Sequence, residues 1–239
     1  MKEHIFSDGF KAALPIVAGY IVLGLPCGLL CQQVGMDWLM VFIMSFIFYS
    51  GAGQYMIPNM LLAGNPLLSI VASVTLVNSR QMLYGASLSR FTEKTSGALT
   101  FLFGATVTDE SFGVNLARFM DGDWTVSRAT IVNLVSQTSW ALSCMAGTLI
   151  GSLVSVPTAI ASFAMTSIFI CLLCMQKVNA THLLTIAASV AGVVLCKWIG
   201  FSGPAILVGA IVGVTCGYVF SSRHDCKQGK PAAEDGDES

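Results

Sequence analysis

Between Lys11 and Ser221 the chain is divided into eight stretches of apolar or small residues, near 11–32, 38–62, 66–89, 98–119, 128–152, 157–176, 182–200 and 203–221. Each is close to the length of about 20 apolar residues that a helix needs to cross a bilayer, and the polar connectors between them are short. Only 10% of the 239 residues are charged and 54% are hydrophobic, whereas an ordinary soluble domain carries roughly 25% charged residues. Such a chain cannot cover a globule with solvated side chains. The pattern predicts an all-α polytopic membrane protein of about eight transmembrane helices. The fourth and seventh stretches are the weakest, and seven helices is the alternative count. Residues 1–221 form the membrane domain, and 222–239, polar and charged, read as a disordered cytoplasmic tail.

Charge outside the stretches sets the expected orientation. With the N-terminus inside, the cytoplasmic segments hold Lys2, Lys11, Arg118, Arg128, Lys177, Arg223, Lys227 and Lys230, against Arg90, Lys94 and Lys197 outside. Both termini are therefore expected in the cytoplasm. No cleavable leader is expected, the first apolar run itself directing insertion. A net charge of −1 gives no reason to expect a nucleic-acid partner. Of the eight cysteines, seven sit in apolar segments as small hydrophobes. Cys171-x-x-Cys174 has no second pair and no nearby histidines, so neither a metal site nor a cofactor is expected.

Three charges fall at membrane depth. Arg80 is about midway along the third stretch, and Asp109 and Glu110 about midway along the fourth. An ionisable residue there costs roughly 2.5–3.5 kcal/mol on insertion scales, so it usually faces a protein interior or water and marks a pathway. On a helical wheel Ser69, Ser73, Arg80, Tyr84 and Ser87 form one polar stripe. Asn78 points the other way unless the helix breaks at Asn78-Ser79. The competing reading is a buried ion pair that only fixes packing, and such pairs are weak evidence for stability.

Glycine and proline mark two further places. The second stretch contains Gly51, Gly53 and Pro58, and the first contains Gly24, Pro26 and Gly28. Helices 1 and 2 are therefore expected to be broken near the midplane, because irregular backbone at that depth survives where it lines a cavity or is buried in protein. Transporters use such broken helices to present amides and carbonyls to substrate. Two ladders of small residues, Ser139/Ser143/Gly147/Gly151/Ser155 and Ala205/Gly209/Gly213/Gly217/Ser221, suit close helix packing within the chain. Contact with another chain, including a second copy in a homo-oligomer, is their alternative use.

Taken together, ALPIVAGYIVLGLPCGLL (13–30), SFIFYSGAGQYM (45–56), VNSRQMLYGASL (77–88), TDESFGV (108–114), SWALSCMAGTLIG (139–151) and SFAMTSIFICLL (162–173) resemble the AzlC family of branched-chain amino-acid permeases. Pro26-Cys27-Gly28 and Ser79 depart from the residues usual in that family. The resemblance implies a secondary transporter in a bacterial cytoplasmic membrane that exports leucine, isoleucine or valine, with methionine as a further candidate. It also implies a small hydrophobic AzlD-type partner subunit.

An aliphatic zwitterion needs an anchor for its carboxylate, another for its ammonium, and an apolar pocket. Arg80 can hold a carboxylate through its guanidinium fork, or the broken-helix amides near Gly51, Gly53 and Gln54 can do so. Asn78, Tyr84 and Trp140 complete the candidate substrate-binding set. Asp109 and Glu110 are the candidates for the ammonium and for proton coupling. A passive pore would call for rings of like charge or a repeated filter sequence, and neither is visible. For an enzyme, the chain has no His-Glu-x-x-His, no Gly-x-Ser-x-Gly and no aspartate pair on separate spans. His4, His182 and His224 lie at or beyond span ends. Another small solute, or uptake rather than export, is the alternative function.

Overall fold

In the computed structural model the described residues are 2–93, 95–153 and 180–198, with scattered positions at 163, 166–167, 170, 208–209, 211–217 and 219. The chain forms two compact units, Met1–Cys171 and Leu172–Ser239. Among the described residues the secondary structure is entirely helical.

The first unit contains α1 (Lys2–Gln33), α2 (Trp38–Ile47), α3 (Gly51–Leu62), α4 (Leu67–Ser89), α5 (Gly97–Ala105), α6 (Asp109–Met120) and α7 (Val126–Leu153). Helix α1 runs unbroken through Pro15 and Pro26, which corrects the expectation of a break in helix 1. Each proline removes one backbone bond, to the carbonyls of Lys11 and Val22, but its fixed φ is compatible with a helix. The surrounding packing keeps the rest of the helix in register.

The second stretch is broken as expected, with Phe48–Ser50 separating α2 from α3. Pro58 plays no part in the break, since it lies inside α3. The fourth stretch is broken too, at Thr106–Thr108 between α5 and α6, which the sequence reading did not anticipate. Both second halves begin on a hydroxyl cap. The Ser50 side chain accepts from the Gly53 amide, and Thr108 and Ser111 form a capping box. Helix α4 is continuous, so there is no break at Asn78-Ser79.

Helices α1 and α7 form the centre of the unit, and their contact explains the first ladder. A Cβ on Gly28 would collide with the Cys144 carbonyl, and one on Gly147 with the Leu25 carbonyl. A Cβ on Gly24 would lie 2.7 Å from Ser143. Only glycine allows backbones this close, as in small-xxx-small pairs. Cys27, Cys31 and Cys144 are fully buried in the resulting core with Leu30, Val132 and Trp140. A second cluster joins Leu88, Phe103, Phe119 and Ala129, where Phe91 stacks on Phe119 at 4.6 Å. A third joins α3 to α4 through Met56, Met60, Ile70 and Val74.

The outer faces of this unit are apolar. Ile47 is 80% exposed, Leu68 81% and Phe101 77%. Among the described residues one helix, over Ile5–Gln33, is by itself long and apolar enough to cross a membrane. Trp38–Ile47 and Leu183–Cys196 are apolar but shorter. Two stretches fall short as single helices because the breaks halve them. Helices α4 and α7 are long enough, at 23 and 28 residues, but carry many polar side chains.

In the second unit α8 (Ala180–Trp198) uses the other ladder. Cβ atoms on Gly209, Gly213 and Gly217 would collide with Val193, Ser189 and Thr185 respectively. The ladder glycines among the described residues therefore pack inside the chain. The stretch at 157–176, apart from isolated positions, lies outside the described residues, as do Cys171, Cys174, Ser155, Ala205, Ser221 and the 222–239 tail.

Candidate functional site

The two breaks are brought together by one side chain of α1. The Tyr20 hydroxyl lies 2.9 Å from Thr108 Oγ1 and donates to Glu110 Oε2 at 2.8 Å, so it touches the first turn of α6. The ring of the same residue meets Tyr49, in the other break, edge-on at 6.4 Å, and meets Trp140 edge-on at 5.2 Å. The starts of α3 and α6 thus lie on either side of Tyr20.

Helix α4 reaches both starts from another side. Asn78 Oδ1 accepts from the α3 cap Ser50 Oγ at 2.6 Å. Arg80 pairs with Asp109 at 2.7 Å, with side chains 33% and 19% exposed. Residues two apart on a helix point about 200° from each other, so one continuous helix serves two neighbours. Tyr84, one turn on, stacks on Phe112 of α6 at 4.6 Å. Of the two acids, Asp109 takes Arg80 while Glu110 stays exposed and takes Tyr20.

The chemistry of the two helix starts differs. A helix N-terminus carries about half a positive charge and several amides without helical partners. At α6 the first two residues are Asp109 and Glu110, so this end is acidic. At α3 the first three residues are Gly51, Ala52 and Gly53, with no acid. Ser50 Oγ takes up the Gly53 amide at 3.1 Å, which leaves Gly51 and Ala52 at the tip of a helix start suited to an anion. The Arg80 guanidinium uses one terminal nitrogen on Asp109, while its Nε is buried without a partner. The arrangement offers donors for a carboxylate on one side and carboxylates for a cation on the other.

Trp140 and Gln54 act behind this surface. Trp140 is only 2% exposed. Its Nε1 donates to Gln54 Oε1, and Gln54 Nε2 donates to Ser45 Oγ at 2.7 Å. The indole edge stands 3.6 Å from where a Cβ of Gly51 would be, and Tyr55 packs on it while donating to the Leu23 carbonyl at 2.5 Å. Gly53 is hemmed in by the Phe48 ring, 2.9 Å from its missing Cβ.

The opposite ends of the broken helices are held by α7. Gln137 Nε2 donates to the Phe46 carbonyl at 2.8 Å, in the last turn of α2. Asn133 Nδ2 donates to the Phe103 carbonyl at 3.1 Å, in the last turn of α5. The Phe46 carbonyl has no helical partner because α2 stops, the Phe103 carbonyl also takes the Thr106 amide at 3.3 Å, and side-chain amides one turn apart on α7 donate to both. Asn133 is itself fixed by Asn115 at 3.0 Å, and Asn115 by Trp124 at 3.2 Å.

The structure therefore places Gly51, Gly53, Gln54, Asn78, Arg80, Tyr84, Trp140, Asp109 and Glu110 around the two breaks. Tyr20, Ser50, Thr108, Asn133 and Gln137 were missed by sequence reasoning. Ser50 and Thr108 carried a readable signal, a hydroxyl residue ahead of Gly-x-Gly or Asp-Glu in mid-stretch, which is how helix starts are marked.

All of these residues fall within the span matched by a family model. The model of the AzlC protein family matches residues 15–154, more than half of the chain. The chain belongs to the AzlC family. The branched-chain amino acid transport protein AzlC of Bacillus subtilis is 30% identical over 219 residues, covering 87% of this chain and 83% of its own. The inner membrane protein YgaZ of Escherichia coli is 30% identical over 236 residues, covering 95% and 93%. An uncharacterized membrane protein of Helicobacter pylori is 28% identical over 222 residues, covering 92% and 97%. No solved structure matches the chain.

Proposed function

We propose that this AzlC-family chain is a multi-pass secondary transporter of the bacterial cytoplasmic membrane that exports branched-chain amino acids, leucine, isoleucine and valine, with methionine as a further candidate. Both termini lie in the cytoplasm, and a small AzlD-type subunit works with it. One observation carries the reading: two helix starts of opposite chemical character meet at Tyr20. The substrate carboxylate binds at the Gly51–Ala52 amides and the free side of the Arg80 guanidinium. The ammonium binds at Glu110 and Asp109. The apolar exterior supports the membrane setting, and the printed name of the Bacillus relative supports the substrate class.

Coupling follows from the same site. Substrate carboxylate on the free side of Arg80 competes with Asp109 for the guanidinium, and one of the two acids then carries a proton across. Membership of a family with a named transport protein, together with the absence of hydrolase signatures in the sequence, supports a transporter rather than an enzyme.

The test is efflux from cells loaded with branched-chain dipeptides, with the small subunit co-expressed. Arg80→Gln at equal membrane abundance is expected to lose efflux. Unchanged efflux in this variant would reduce the Arg80–Asp109 pair to a packing element.

A further inference from the structure

The start of α1, the end of α6 and the start of α7 surround a cavity of about 500 Å³. It is lined by Asp8, Lys11, Arg118, Asp123, Trp124 and Arg128. Arg128 is held in place by Asp8 at 3.1 Å and by the Asp123 carbonyl, to which its Nη1 donates at 2.8 Å. Its Nε is buried and has no partner. The Trp124 ring carries two guanidinium groups, Arg118 at 5.5 Å and Arg128 at 5.9 Å from its centre. Lys11 and Arg118 belong to neither of the two ion pairs found among the described residues.

This is a cationic pocket. Three cations face two carboxylates, and one of those carboxylates is already engaged by Arg128. Lys11 and Arg118, outside both ion pairs, are the cations that can donate charge-assisted hydrogen bonds to a phosphate. Next to the pocket, α1 presents Phe6, Phe10 and Leu14, one turn apart and 58%, 42% and 46% exposed, with the two rings stacked. An apolar strip adjoining a basic pocket matches a molecule with acyl chains and an anionic head.

We infer that this pocket binds the phosphate of an anionic phospholipid headgroup, with acyl chains along Phe6, Phe10 and Leu14. The inference shares only the membrane setting with the proposed function and not its substrate site. Basic pockets between helices at a membrane surface bind anionic headgroups through this chemistry.

The test uses the full chain, purified and delipidated in a neutral detergent. It is titrated separately with phosphatidylglycerol, with phosphatidylcholine of the same chains, and with inorganic phosphate. Bound adducts are counted by native mass spectrometry and melting is followed in parallel. Phosphatidylglycerol is expected to bind and raise the melting temperature, with phosphatidylcholine far weaker. Lys11→Gln and Arg118→Gln should each weaken phosphatidylglycerol about fivefold, and the pair about twenty-five-fold. Asp123→Asn should strengthen it, which keeps the test open if a cation variant folds poorly.

Leucine binding should be unchanged in all four variants, so a failure here is separable from a failure of the transport site. Inorganic phosphate binding with the same variant dependence, while phosphatidylglycerol does not bind, would overturn the lipid as the source of the anion. Equal binding of both lipids, or binding indifferent to these substitutions, would overturn the site.

Discussion

Replacing Gln137 by leucine removes one amide and keeps the bulk of the side chain, so its effect isolates a single bond. The Phe46 carbonyl then loses its only donor from α7, 2.8 Å away in the native structure. It sits at the end of α2, where the helix itself provides no partner. The bond is part-buried; a fully buried acceptor left without a partner costs about 1–3 kcal/mol in water-soluble proteins, whereas single hydrogen bonds measured within a membrane protein average nearer 0.6 kcal/mol. The lower figure assumes that the freed group finds another partner. At the end of a half-helix packed against α7 the nearest alternatives are in the break itself, so we place the effect at about 1–2 kcal/mol. With 1.4 kcal/mol per tenfold, leucine affinity should fall roughly five- to thirty-fold.

The assay is calorimetric binding of leucine to purified protein, with hydrogen–deuterium exchange over residues 46–51. Exchange should rise there and not over 103–109, which Asn133 holds. Gln137→Glu provides a sign test. A carboxylate cannot donate to Phe46, but the protonated acid can, so this variant should resemble Gln137→Leu at high pH and approach wild type as pH falls. Native affinity and unchanged exchange in Gln137→Leu would refute the idea that α7 sets the position of the break.

Other substitutions separate the elements of the account. Tyr20→Phe keeps the ring contacts with Tyr49 and Trp140 but removes the hydroxyl from Thr108 and Glu110, so leucine affinity should fall about fivefold with little change in melting. Gly147→Ala forces a Cβ onto the Leu25 carbonyl and should cost upwards of about 1–3 kcal/mol, read as lost melting temperature. Gly113→Ala meets nothing within 4 Å and should be neutral or stabilising by up to about 1 kcal/mol. Gly51→Ala meets only the Trp140 edge at 3.6 Å and should fold, while Gly53→Ala meets the Phe48 ring at 2.9 Å and should lower stability and binding together.

Much of this arrangement is legible in the residues before any coordinates. The apolar stretches predicted at 38–62, 66–89, 98–119 and 128–152 coincide with helices, because length and punctuation by Gly, Pro and Asn are local properties. The pairing of Arg80 with an acid on the next stretch followed from depth alone, and Asp109 is the partner. What sequence reading misjudged depends on neighbours. Pro26 looked like a break, yet close packing of α1 against Ser143, Cys144 and Gly147 of α7 holds the helix through it. Thr106–Thr108 looked like continuous helix, yet Asn133 and Tyr20, distant in sequence, satisfy the groups that a break exposes. On the wheel Asn78 points away from Arg80 unless the helix breaks at Asn78-Ser79, and the helix is continuous there. The two residues serve different helix starts. Trp140, a member of the candidate substrate-binding set, is buried and donates to Gln54.

The central claim is that the site recognises a zwitterion through two separate anchors, amides and Arg80 for the carboxylate and acids for the ammonium. Its most direct test compares leucine with isoamylamine, which lacks the carboxylate, and with 4-methylpentanoate, which lacks the ammonium, by calorimetric binding to the purified wild-type protein. The account predicts that leucine binds and that each analogue binds at least tenfold more weakly. Binding of either analogue as tightly as leucine would show that one anchor does nothing, and would contradict the account.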